Sequence, residues 1–254
     1  MPTRKLGLTA ILLTGVLCAY LLAGVAGGLA GAGFFSRLQQ DCVVPAWMSL
    51  QDMLGDGSLA DGPLAQPHFA VVGILFAING LALIALSAAG ARWTRGVLLT
   101  PLLRLRPERA YDVLWALVLV PLAMACSFAI IYWLAGIRLP AERGIDFAAW
   151  QSWLYLVALI VLAPLAEEIA FRGWLLSGLD ALWSSPALAI VISALFWALI
   201  HLSQGGAKTI ALVPVGLLLG WLRHRSGSLL PGLAGHVTMN AMGLTIMILM
   251  AEGQ

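Results

Sequence analysis

The chain has 254 residues, of which 61% are hydrophobic and 10% charged, with a formal net charge of +2 and a mean hydropathy of +0.94. That composition excludes an ordinary soluble domain and an intrinsically disordered one. The positive charge is scattered over short stretches between apolar runs, so it forms no nucleic-acid footprint and points to a lipid bilayer as the surrounding medium.

Apolar segments fall at roughly 6–30, 69–91, 111–136, 150–178, 186–203, 208–223 and 229–251, against ~20 residues needed per membrane span. The predicted fold is all-α, a polytopic transmembrane helix bundle of about seven to eight spans. Arg4-Lys5 precede the first run, whose length exceeds a signal-peptide core, so it reads as an uncleaved span. The loop over 36–66 carries Asp41, Asp52, Asp56 and Asp61, and its stretch 45–54 predicts a short interfacial helix anchored by Trp47. With the N-terminus inside, the inner side receives Arg4, Lys5, Arg92, Arg95, Arg104, Arg106, Arg109, Arg223 and Arg225. The outer side receives only Arg37, Arg138, Arg143 and Lys208. This asymmetry predicts a multi-pass protein of the cytoplasmic (inner) membrane with a cytoplasmic N-terminus. Cys18 and Cys126 lie in apolar runs and Cys42 stands alone in a loop, so no disulfide framework or thiolate metal site is expected.

The chain reads as a single membrane-embedded domain over 1–254. Residues 1–149 supply supporting spans and an extracytoplasmic loop, and residues 150–251 carry nearly every polar group at membrane depth. Glu167, Glu168 and Arg172 lie within six residues of one apolar helix. Ionisable groups there are expensive and persist mainly where they do chemistry or line a polar cavity. Glu168 and Arg172, four apart with the acid on the N-terminal side, predict a helical ion pair. Glu167 points about 100° away and has no partner on its own helix, which leaves it to hold and deprotonate a water.

Two histidines follow on later helices. Trp197 and His201 are four apart, and so are His236 and Asn240, so each pair shares a helix face. At ~1.5 Å per residue, Glu167 lies about 15 Å from an inner end near Gly178, His236 about 10 Å from one near Leu229, and His201 about 20 Å deep. A polar cavity open to the inner face would gather them. A Glu/His pair can orient and activate water, and a His/Asn pair can donate to a developing oxyanion. Signatures of other hydrolases are missing: there is no His-Glu-x-x-His, no Gly-x-Ser-x-Gly, and Tyr111-Asp112 has no Gly-x-Gly-Asp partner.

Taken in order, Glu167-Glu168 to Arg172, Trp197 to His201 and His236 to Asn240 resemble the three motifs of the CPBP family. These are the CAAX protease and bacteriocin-processing (Abi) intramembrane glutamic endopeptidases, which include the type II CAAX prenyl endopeptidases. The stretch from Gly216 through Gly220 and Gly227 to Pro231 is similar as well, and the resemblance covers about residues 150–245. One departure is Trp197, which stands where the family has Phe. The resemblance implies Glu167 as general base, His201 as a second holder of the water, His236 with Asn240 as the oxyanion site, and Glu168, Arg172 and Trp197 in support. It implies no required cofactor, although a divalent metal such as zinc on Glu167, His201 and His236 is chemically open. The implied partners are the lipid bilayer and a membrane-associated protein or peptide substrate, with no nucleic acid. The expected activity is endopeptidase cleavage in C-terminal processing, sorting or peptide maturation; the alternative is a catalytically silent relative acting in immunity or as a scaffold. With 12 Arg to 2 Lys, the sequence suggests a GC-rich bacterial genome, which favours a C-terminal tail or leader peptide over a prenylated one.

Overall fold

The computed structural model describes residues 80–81, 84–85, 109–135, 150–202 and 206–252. The segments expected to span at 6–30 and 69–91 and the interfacial helix at 45–54 lie outside these residues, apart from four positions near 80. The described part is helical throughout. Four of its helices are long and apolar enough to cross a membrane.

Helix α1, Tyr111–Ala135, is apolar around its whole circumference. Leu114, Trp115, Val118, Leu122, Ile130 and Trp133 on it are exposed, as expected of a helix whose outer face meets lipid rather than water. The run α2 extends without a break from Trp150 to Trp183. It is α-helical over Trp150–Val157, Ala163–Glu167 and Ser177–Trp183, and widens into π turns over Ala158–Leu162 and Glu168–Leu176. A tight turn with Ser184 in the left-handed region (φ 52°) leads to α3, Pro186–Leu199, which opens with proline in its first turn. Helices α4, Gly206–Ser226, and α5, Leu230–Glu252, follow.

The turn between α4 and α5 is built by two buried serines. Ser226 Oγ donates to the carbonyl of Leu222 at 2.7 Å and accepts from the N–H of Ser228. Ser228 Oγ in turn accepts from the N–H of Leu230 and caps α5. Gly227 takes the positive φ (61°) that the turn requires.

Helices α4 and α5 both pack along α1, α4 also packs on α3, and α2 lies against α3 and α5. Small residues set the closest approaches. A Cβ at Gly216 would sit 3.0 Å from Trp197 Cε3, and one at Gly220 3.0 Å from Ile190 Cγ2. This small-x-x-x-small stripe brings α4 onto α3. The core so formed runs through Ala166, Phe171, Leu175, Trp197, Val215 and Leu219.

Two sequence expectations need correcting. α2 continues to Trp183 rather than ending near Gly178, which places Glu167 at most about 24 Å from that turn. α3 has 14 residues and rises about 21 Å, short of a ~30 Å hydrocarbon layer. His201 therefore lies just past the end of a short helix, at the depth of Glu167. The apparent mismatch in depth between the two came from the misplaced end of α2.

Candidate active site

The first motif sits where α2 changes pitch. Glu167 ends an α-helical stretch and Glu168 begins a nine-residue π turn. A π turn shifts the carbonyls away from their ordinary helical partners, and side chains from other helices take them up. The carbonyl of Phe171 accepts from Ser193 Oγ at 2.9 Å. That of Arg172 accepts from Arg223 Nε at 3.3 Å, and that of Leu159, in the first π turn, accepts from Asn240 Nδ2 at 2.9 Å. Irregular backbone at membrane depth is tolerated when its polar groups are met in this way, and π turns recur at functional sites.

Glu168 is buried and fully engaged on one oxygen. Its Oε1 lies 3.0 Å from Arg172 Nη1 and 3.0 Å from His236 Nδ1. The other oxygen, Oε2, faces the backbone of α5 so closely that a Cβ at Gly232 would come within 2.8 Å of it. Arg172 is equally enclosed. It reaches the Gly216 carbonyl through Nη2 at 3.4 Å, and its guanidinium lies 4.7 Å from the Trp197 ring centroid. The expected ion pair is present, and it is tied to α3, α4 and α5 at once.

Glu167 has a different environment. Its side chain is 15% exposed against 1% for Glu168, so one carboxylate opens toward solvent and the other does not. Its Oε2 accepts the indole N–H of Trp197 at 2.5 Å and lies 3.8 Å from His236 Nε2. His236 thus stands between the two glutamates with one ring nitrogen toward each. Because the ionised, arginine-paired Glu168 only accepts, Nδ1 carries a proton and Nε2 faces Glu167.

His201 joins from the end of α3. There the backbone tightens: the N–H of His201 goes to the carbonyl of Ala198 at 3.0 Å instead of to that of Trp197, four residues back. The freed Trp197 carbonyl receives His201 Nδ1 at 3.0 Å. A carbonyl accepts only, so the proton sits on Nδ1 and the neutral ring keeps a lone pair on Nε2. The Trp197 ring meets His201 and His236 edge-on, at 5.2 and 5.4 Å between centroids.

The structure therefore brings Glu167, Glu168, Arg172, Trp197, His201 and His236 into one cluster. Asn240 shares a face of α5 with His236. One of its amide N–H groups is directed to the π turn at Leu159. The sequence alone counts Arg223 and Arg225 only among the inner-side charges. Arg223 is instead buried behind Arg172, and Arg225 binds Asp112 of α1 at 3.0 Å. A signal for Arg223 was present, since Gly216, Gly220 and Arg223 recur at helical spacing on one face of α4. Nothing in the sequence paired Asp112 with Arg225, because the two are 113 residues apart.

Among the described residues no three His, Cys, Asp or Glu side chains are arranged to hold a metal ion. Glu167 Oε2 is engaged by Trp197, His201 Nδ1 by a carbonyl and His236 Nδ1 by Glu168, which leaves Glu167 Oε1 and the two Nε2 atoms as the donors a metal would use.

Residues 149–242 match the family model for the type II CAAX prenyl endopeptidase Rce1-like domain. This segment is similar to the Rce1-like domains of the CAAX protease family. The Rce1-like match takes in all three motifs and the whole polar cluster, and it ends within α5. The family is one of proteases, and three of the four helices that carry the match are long and apolar enough to cross a membrane. No curated protein and no solved structure matches the chain significantly.

Proposed function

We propose that this protein is an intramembrane endopeptidase in which Glu167 activates the water that attacks a peptide bond of a membrane-associated substrate. The observation that carries this reading is the inequality of the two glutamates. Glu168 is enclosed, and its Oε1 is held by both Arg172 and His236. Glu167 keeps access to solvent beside two imidazoles. A carboxylate with a held orientation and an open side is what a general base requires.

In this reading Glu167 takes a proton from water as the water oxygen bonds to the scissile carbonyl carbon. His201 Nε2, an acceptor by its tautomer, helps to hold that water. The tetrahedral oxyanion receives hydrogen bonds from His236 Nε2, when it carries a proton, and from the second amide N–H of Asn240. Asn240 is steadied by its bond to Leu159. Collapse breaks the carbon–nitrogen bond, and Glu167 returns its proton to the departing amine. No step needs a metal. Glu168 and Arg172 fix His236 and the π turn and touch no substrate.

The substrate class favoured by the sequence is a C-terminal sorting tail or a leader peptide, with the prenylated CAAX peptide as the family's own case. Internally quenched peptides of all three kinds, offered to the full-length protein in lipid nanodiscs, separate them. Cleavage of tail or leader peptides, abolished by Glu167→Gln, supports the assignment. Cleavage of the farnesylated peptide alone would overturn the substrate class. Equal cleavage by the Glu167→Gln and wild-type proteins would overturn the general base.

A further inference from the structure

The departure from the family motif at position 197 is the most informative feature of the site. Trp197 is fully buried, and its ring is held on several sides. The Arg172 guanidinium covers a face, the two imidazoles pack against it at steep angles, and the missing Cβ of Gly216 leaves room for its six-membered ring. A side chain so enclosed has one rotamer open to it, and its single polar group, the indole N–H, points at Glu167 Oε2. The same residue's main-chain carbonyl fixes the tautomer of His201. One residue therefore aims both groups that would face the water.

We infer that Trp197 is a positioning residue which clamps Glu167 through Oε2 and so makes Oε1 the oxygen that accepts the proton of the attacking water. The inference deepens the general-base reading of Glu167 and rests on it. Among the described residues, Oε2 has the indole N–H at 2.5 Å and His236 Nε2 at 3.8 Å, and none is hydrogen-bonded to Oε1. With Oε2 bonded to the indole N–H, rotation of the carboxylate would break its one strong bond, so the two oxygens do not exchange. Phenylalanine at 197 keeps an aromatic ring in the slot and leaves the main-chain bond to His201 in place, but it has no N–H to give. The indole N–H is thus separable from everything else Trp197 does.

The test replaces Trp197 with phenylalanine and, by site-specific incorporation, with 3-benzothienylalanine, which keeps the bicyclic shape and exchanges N–H for sulfur. Full-length proteins in lipid nanodiscs are compared by infrared spectroscopy, with the Glu167 carboxylate bands isolated as the difference between each protein and its Glu167→Gln counterpart. The expected result is a shift of those bands in both variants. On a cleaved peptide, kcat falls about 10- to 100-fold at unchanged KM, the scale of a misplaced reacting group, and the benzothienyl protein melts with the wild type. Unmoved carboxylate bands in the benzothienyl protein would overturn the inference. So would full activity in that protein with loss confined to phenylalanine, which would make the role one of shape. If Glu167→Gln alone retains activity, the general-base reading fails, while the infrared shift still decides whether the clamp exists.

Discussion

Gly235→Ala provides a demanding test of the packing that places His236. Gly235 immediately precedes that histidine and packs directly against α1. An added Cβ would lie 2.6 Å from Val120 Cγ2, 2.9 Å from Val120 Cβ and 2.8 Å from the carbonyl oxygen of Ala116. The valine is short and branched, with little freedom to turn aside, and the carbonyl belongs to a helix backbone. Relief therefore requires the two helices to part by about 0.8 Å to regain ordinary contact, an overpacking that costs about 1–3 kcal/mol. The helical preference of alanine over glycine returns only about 1 kcal/mol. The same separation displaces α5 relative to its neighbours and disturbs the 3.0 Å contact of His236 Nδ1 with Glu168 Oε1, so activity falls with stability. Gly243→Ala is the control: on the same helix its Cβ would stand 3.7 Å from Met124 Cε, an ordinary contact with a flexible side chain, and it should be neutral or slightly stabilising. Unfolding midpoints in SDS titration and cleavage rates, measured side by side, check both. Equal stability of the two variants would refute the close α1–α5 contact.

Arg172→Met leaves Glu168 as a buried charge with a lone histidine, and breaking such a pair costs about 3–5 kcal/mol; low folded yield from solubilised membranes is the expected readout. Asn240→Ala removes the donor to the Leu159 carbonyl and should destabilise by about 1 kcal/mol, visible as a lower unfolding midpoint together with reduced cleavage. Asp112→Asn weakens the link between α1 and Arg225 of α4; a lower midpoint with an unchanged cleavage rate is expected, because that contact lies apart from the Glu/His cluster.

Much of the working half was legible in the sequence because membrane depth makes charge conspicuous. Glu167, Glu168 and Arg172 stood out against an apolar run, and helical spacing alone predicted the 168–172 pair now seen at 3.0 Å. The same spacing put His236 and Asn240 on one face, but it could not show that Asn240 would be directed to a carbonyl at Leu159. That carbonyl is available only because α2 widens into a π turn, and no residue pattern marks where a helix does so. The division of the glutamates was also readable in outline: Glu167 has no partner on its own helix and finds one on α3. What the spacing missed was the identity of that partner. A tryptophan four residues before a histidine reads as packing, whereas its N–H is the contact that holds Glu167. Arg225 with Asp112 shows the remaining limit, since a contact between distant segments leaves no local trace.

The central claim is that Glu167 drives peptide-bond cleavage. It is tested most directly by comparing membrane and secreted protein termini, read by mass spectrometry, in a host deletion strain complemented with the wild-type or the Glu167→Gln protein at equal abundance. Termini present only with the wild type are the predicted result, and they would also name the substrate. Identical termini in the two strains would contradict the account and leave the polar cluster as a device for packing helices.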